Sequence, residues 1–177
     1  MQIDAGGWVD GARRVESPNR DARPGGCAIE LLVLHCISVP PGRFGGGHIE
    51  RLFTNALDFA EQPALADLAG LRVSAHFLID RMGLLTQFVS CADRAWHAGA
   101  SAWDGRARCN DFSIGIELEG SEFEAFTAAQ YATLDALQRV LWSAYPIRWA
   151  RGHSEIAPGR KTDPGPLFDW TNVRRDT

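Results

Sequence analysis

Ile29-Glu30-Leu31-Leu32-Val33-Leu34-His35-Cys36 is the stretch on which the fold turns. It is a mostly apolar run rich in Leu and Val that follows the turn signal Pro24-Gly25-Gly26, and a strand buried on both faces of a sheet reads this way. It delivers His35 near its C-terminal end. Beyond it, Pro40-Pro41-Gly42-Arg43-Phe44-Gly45-Gly46-Gly47 dictates a loop, because proline lacks a backbone donor and the glycines lose much entropy on ordering. A short helix is expected next, since Ile49, Leu52, Phe53 and Ala56 recur at the helical period.

Further along, residues 74–80 and 84–89 read as two strands joined by the turn Arg81-Met82-Gly83. Residues 91–111 show no sustained period but carry Trp, His and Arg, a composition suited to loops that meet a ligand. In residues 112–118, Ile114 and Ile116 alternate with Ser113, Gly115 and Glu117, so a strand there sets Glu117 on the face opposite the isoleucines. The clearest helix covers residues 128–145, capped by Thr127 and stopped by Pro146, with Tyr131, Leu134, Leu137, Val140, Leu141 and Ala144 as its apolar stripe. A short strand over residues 147–151 precedes an irregular end. The order β-α-β-β-β-α-β predicts an α/β fold: one domain over residues 1–177, with a central mixed β-sheet flanked by helices.

Composition narrows the partners. A chain of 177 residues buries roughly 70% of its unfolded surface and needs no metal merely to hold a core. With 22 acidic against 18 basic side chains and no basic cluster, nucleic acid is not an expected partner. Residues 1–10 lack a basic segment followed by an apolar one, and the most apolar stretch, residues 28–39, is interrupted by Glu30 and His35. Neither export nor membrane insertion is expected. Cys27, Cys36, Cys91 and Cys109 form no C-x-x-C pair, which suits reduced thiols in the cytoplasm. Nothing demands a dimer, so a monomer is expected.

Chemistry is suggested by His35 at a strand end and by His153 and Asp163 flanking a Pro- and Gly-rich loop. Two imidazoles and a carboxylate form a ligand set for a catalytic zinc. On spacing alone the zinc signal is weak, and they read more readily as hydrogen-bonded histidines and a turn aspartate.

Five strings, in order, sharpen this: Leu32-Val33-Leu34-His35, Leu71-Arg72-Val73-Ser74-Ala75-His76, Arg94-Ala95-Trp96-His97-Ala98-Gly99, Arg108-Cys109-Asn110-Asp111-Phe112-Ser113-Ile114-Gly115-Ile116-Glu117-Leu118-Glu119-Gly120 and Lys161-Thr162-Asp163-Pro164-Gly165-Pro166. Over residues 8–170 the chain resembles the type 2 N-acetylmuramoyl-L-alanine amidase and peptidoglycan-recognition family, in particular its cytoplasmic amidases of 1,6-anhydro-N-acetylmuramyl-L-alanine. The resemblance implies one zinc ion per chain on His35, His153 and Asp163, with water activated by the metal as nucleophile. It further implies Glu117 as general base and acid, and Lys161 as the cation that stabilises the oxyanion. The implied substrate is an anhydro-muropeptide. Arg72 and Arg108 would bind stem-peptide carboxylates, and Trp96 would wall the cleft. His76 and His97 are expected in structural or groove-lining roles, and His48 in solvent. Cys36 departs from the family, which more often has asparagine there; a thiol cannot replace an amide's donors and acceptor, so peptide affinity should differ. Two other readings are a non-catalytic peptidoglycan-binding module and a thiol amidase using Cys36.

Overall fold

The computed structural model describes residues 1–60 and 63–176 and begins with two short strands, β1 (Arg13–Arg14) and β2 (Arg20–Ala22). Neither was legible in the sequence, because segments of two or three residues, nearly all polar, show no period. The buried run follows as β3 (Leu31–Ile37), and the helix after the Gly-rich loop as α1 (His48–Phe53). α1 ends before Ala56, and His48, expected in solvent, is half-buried at its first position.

The predicted hairpin forms as β4 (Phe77–Ile79) and β5 (Leu85–Gln87), shorter than the apolar stretches around them. Asp80 Oδ1 accepts from the N–H groups of Met82 and Leu84, and Gly83 takes φ +83°, which closes the turn. The unpatterned region contains β6 (Asp93–Ala95) and a small hairpin, β7 (Ala102–Trp103) with β8 (Arg106–Ala107). Then come β9 (Ser113–Glu119), α2 (Ala128–Ala144), β10 (Trp149–Gly152) and the single turn α3 (His153–Ile156).

The main sheet has the order β1-β5-β4-β9-β3-β10, with β4–β5 antiparallel and the other pairs parallel, so the expected mixed sheet is present. Alternation along β3 and β9 divides its faces. Leu32, Leu34, Ile114, Ile116 and Leu118 pack with Phe77 and Ile79 beneath Leu134, Leu137 and Leu141 of α2. Each such side chain stabilises the fold by roughly 1.5–3 kcal/mol on burial. α2 starts with a capping box between Thr127 and Gln130. Its buried stripe differs from expectation: Ala144 is exposed, whereas Gln130 and Gln138 are buried. The Gln130 amide donates to the carbonyls of Ile79 and Glu119, and Gln138 to that of Asn172, so hydrogen bonding offsets their burial.

On the opposite face, Leu31 and Val33 are covered by Ala98, Cys109, Phe112 and Ile156. Farther along, α1 packs Ile49, Leu52 and Phe53 on Leu65, Phe88 and Val89. The gap between these clusters holds the site. Among the described residues, no helix is long and apolar enough to cross a membrane.

Candidate active site and metal centre

Three adjacent parallel strands end together here, and ligands characteristically bind at the carboxyl ends of parallel strands. His35 of β3 stands in register with Glu117 of β9, while β10 pairs with β3 through Gly152 opposite Leu34, so His153 enters α3 just beyond the last pair. The C-terminal loop brings Asp163 back, tied by a hydrogen bond from Ser154 N–H to the Asp163 carbonyl (2.9 Å). Gly152 makes room for that return, because a Cβ there would lie 2.9 Å from Pro164 Cδ.

Three donor atoms converge. His35 Nδ1 lies 3.0 Å from His153 Nδ1, and Asp163 Oδ2 lies 3.1 Å from the first and 3.2 Å from the second. His153 Nε2 lies 3.1 Å from the carbonyl of Ala98, an acceptor for a proton on Nε2, and in that tautomer Nδ1 is a bare lone pair. Lone pairs this close repel unless a proton or cation lies among them. Bonds of about 2.0–2.1 Å in a tetrahedral site set donor separations of about 3.3 Å, so the arrangement fits a zinc ion.

Electrostatics agree. Burial lowers His35 to about 4 against the pull of Asp163, keeping the imidazole neutral, as a metal ligand must be. Burial alone would raise Asp163, but the adjoining His153 and His35 imidazoles outweigh it and the carboxyl is held below its usual range. Glu117 goes the other way: burial first, then the Asp163 charge, push it well above an ordinary carboxylate, with Lys161 opposing. Its Oε2 is buried without a hydrogen-bond partner, an arrangement that costs stability.

These groups line a cleft of about 620 Å³, together with Cys36, Trp96 and Lys161. Arg72 and Arg108 lie outside its lining: Arg72 is exposed beside a shallow recess, and Arg108 is exposed with Nε 3.0 Å from Asp111. His76 is fully buried, accepting from Gly115 N–H at Nδ1 (3.0 Å). His97 lines the cleft and touches His35. Sequence reasoning did not single out Asn110, whose Oδ1 accepts from His97 and Ala98 N–H, or Arg23, whose guanidinium donates to the carbonyls of Cys91, Asn110, Asp111 and Ser113. Both fasten the loop that backs the site, and one polar residue serving backbone atoms leaves no spacing to read.

Residues 25–166 match the family described as N-acetylmuramoyl-L-alanine amidase. The 1,6-anhydro-N-acetylmuramyl-L-alanine amidase AmpD of Escherichia coli (strain K12) is 55% identical over 170 residues, covering 95% of this chain and 93% of that protein. A crystal structure of a selenomethionine AmpD derivative superposes with a TM-score of 0.92 at 52% identity, covering 97% of each chain. The amidase AmiD from E. coli, solved with anhydro-N-acetylmuramic acid-L-Ala-D-gamma-Glu-L-Lys as substrate, gives a TM-score of 0.59 at 31% identity, covering 96% of this chain and 63% of that one. Sequence and fold agree, and the chain belongs to the N-acetylmuramoyl-L-alanine amidase family.

Proposed function

We propose that this chain hydrolyses the amide between the lactyl group of 1,6-anhydro-N-acetylmuramic acid and L-alanine in muropeptides, as a monomeric, zinc-dependent enzyme of cytoplasmic peptidoglycan recycling. The observation that carries the mechanism is the triangle of His35, His153 and Asp163 donors in one cleft with the unpartnered Glu117 carboxylate. The named relatives support the substrate.

His35, His153 and Asp163 would hold the zinc, whose Lewis acidity makes water a nucleophile near neutral pH. Glu117 takes a proton from the attacking water and returns it to the departing L-alanine nitrogen as the C–N bond breaks, leaving a lactyl carboxylate and a free amine. A raised affinity for protons suits that exchange. Lys161, exposed in the cleft, offers an ammonium to the negative charge that develops on the carbonyl oxygen. Trp96 and Cys36 contact the bound substrate, and Arg72 and Arg108 meet stem-peptide carboxylates where the peptide runs past the cleft.

Zinc-loaded protein incubated with an anhydro-muropeptide should release the intact stem peptide and the anhydro-sugar acid, seen by mass spectrometry. Binding without cleavage would favour the recognition-module reading instead. Against a thiol amidase stands the Cys36 Sγ environment: burial, then the charges of Glu117, Asp163 and Glu122, push the thiol up to about 12, so little thiolate exists at neutral pH. Cys36→Ala should therefore keep kcat within about tenfold, whereas loss of a nucleophile costs several orders of magnitude. Cys36→Asn should shift KM; an unchanged KM would remove Cys36 from peptide recognition.

Gly152→Ala tests how the metal site is assembled. The added methyl displaces Pro164 and, with it, Asp163, so zinc retention on dialysis should fall while far-UV circular dichroism is unchanged. Retention equal to that of the parent would show that the loop absorbs the methyl elsewhere.

A further inference from the structure

We infer that His97 is a positioning residue that, with Ser113 behind it and Ala98 beside it, fixes both ligand imidazoles in the tautomer that binds metal. The inference rests on the zinc reading above. His35 Nε2 lies 2.9 Å from His97 Nδ1, and His97 Nε2 lies 3.2 Å from Ser113 Oγ, a fully buried hydroxyl on β9. For His35 Nδ1 to face the metal as a lone pair, its proton sits on Nε2 and is donated to His97 Nδ1. The His97 proton then sits on Nε2 and is donated to Ser113 Oγ. The neighbouring residue serves the second ligand, since the Ala98 carbonyl accepts from His153 Nε2.

One dipeptide therefore sets the orientation of both histidine ligands, and outer partners of this kind hold ligand tautomers in metal sites. Its own placement is tightly determined. Asn110 Oδ1 accepts from His97 N–H (3.2 Å) and Ala98 N–H (2.8 Å), and the Arg160 guanidinium donates to the Ala98 carbonyl (2.7 Å). The His97 ring lies flat against β9 at Gly115, where a Cβ would come within 2.5 Å of Cγ. Glycine at the centre of a buried strand is otherwise unfavourable, and the close approach of His97 accounts for it. Ser113 suits the end of the relay because its hydroxyl oxygen offers a lone pair to the His97 Nε2–H, 3.2 Å away.

The test measures zinc affinity by competition with a chromophoric chelator for the full chain and for His97→Leu, His97→Asn and Ser113→Ala. His97→Leu removes the acceptor and should weaken zinc binding about 10–100-fold. His97→Asn places Oδ1 where Nδ1 was and should restore affinity to within a few-fold of the parent. Ser113→Ala should give an intermediate loss, and in the zinc-loaded parent ¹⁵N NMR should find His35, His97 and His153 all protonated at Nε2. Parent-like affinity in His97→Leu, or equal losses in the leucine and asparagine variants, overturns the inference. If His97→Leu fails to fold, parent-like affinity in the minimally altered Ser113→Ala overturns it instead. A parent chain that binds no zinc, or binds it equally after His35→Ala, fails differently: it removes the zinc reading, and this inference with it.

Discussion

Glu117→Gln should lower kcat for anhydro-muropeptide hydrolysis by about 10²–10⁴-fold, the usual contribution of a positioned general acid–base group, with KM nearly unchanged. The substitution keeps the shape of the side chain and removes its ability to accept and return a proton. Its effect on stability runs the other way and separates chemistry from folding. Burial and the Asp163 charge raise Glu117 well above 4.5, so in the metal-free chain the folded state holds a proton that the unfolded state has already released. Stability contributed at this position therefore falls as pH climbs from 4.5 through the raised value. The neutral amide has no such dependence, so denaturant titrations of the metal-free proteins should show the variant gaining on the parent as pH rises. Wild-type turnover in the variant would remove Glu117 from the catalytic role. A stability difference that stays flat with pH would mean its carboxylate is better solvated than its buried Oε2 implies.

The same strand shows what the sequence made legible. Ser113-Ile114-Gly115-Ile116-Glu117-Leu118 alternates strictly, so its two faces and the placing of Glu117 followed from a period of two, and the apolar run of β3 identified its neighbour. The capping box and stop of α2 were equally local signals, although its buried glutamines were hidden because their partners are backbone carbonyls of distant strands. β1 and β2 escaped notice because they are held by pairing with β5 and β6, not by any pattern of their own. For the site, His35, His153 and Asp163 had no diagnostic spacing; parallel register joins the first two, and a loop closed against Gly152 supplies the third. Only the resemblance of ordered motifs singled out Lys161 in advance. The role of His97 was out of reach, since a hydrogen bond 62 residues away in sequence leaves no trace in composition.

Stripping zinc should abolish hydrolysis and restoring it should recover activity, while His35→Ala, His153→Ala and Asp163→Ala should each lose more affinity for zinc than the roughly 10–100-fold expected for an outer partner. The three donors lie within 3.0–3.2 Å of one another, so deleting any one leaves two protein ligands where a catalytic zinc takes three. None of the three ligands belongs to an apolar cluster, so the fold is expected to hold without the metal. Chelation should consequently leave the far-UV spectrum intact while lowering the melting temperature. At zinc about 1,000-fold above Kd, binding to the folded state alone is worth about 4 kcal/mol, which for a domain of this length corresponds to a shift on the order of 10 °C. Each ligand variant should melt near the chelated parent and fail to respond to added zinc. Loss of activity with an unchanged zinc-dependent shift would place the metal elsewhere, and full activity in the chelated protein would overturn the zinc mechanism, leaving Glu117 and Lys161 to be explained without it.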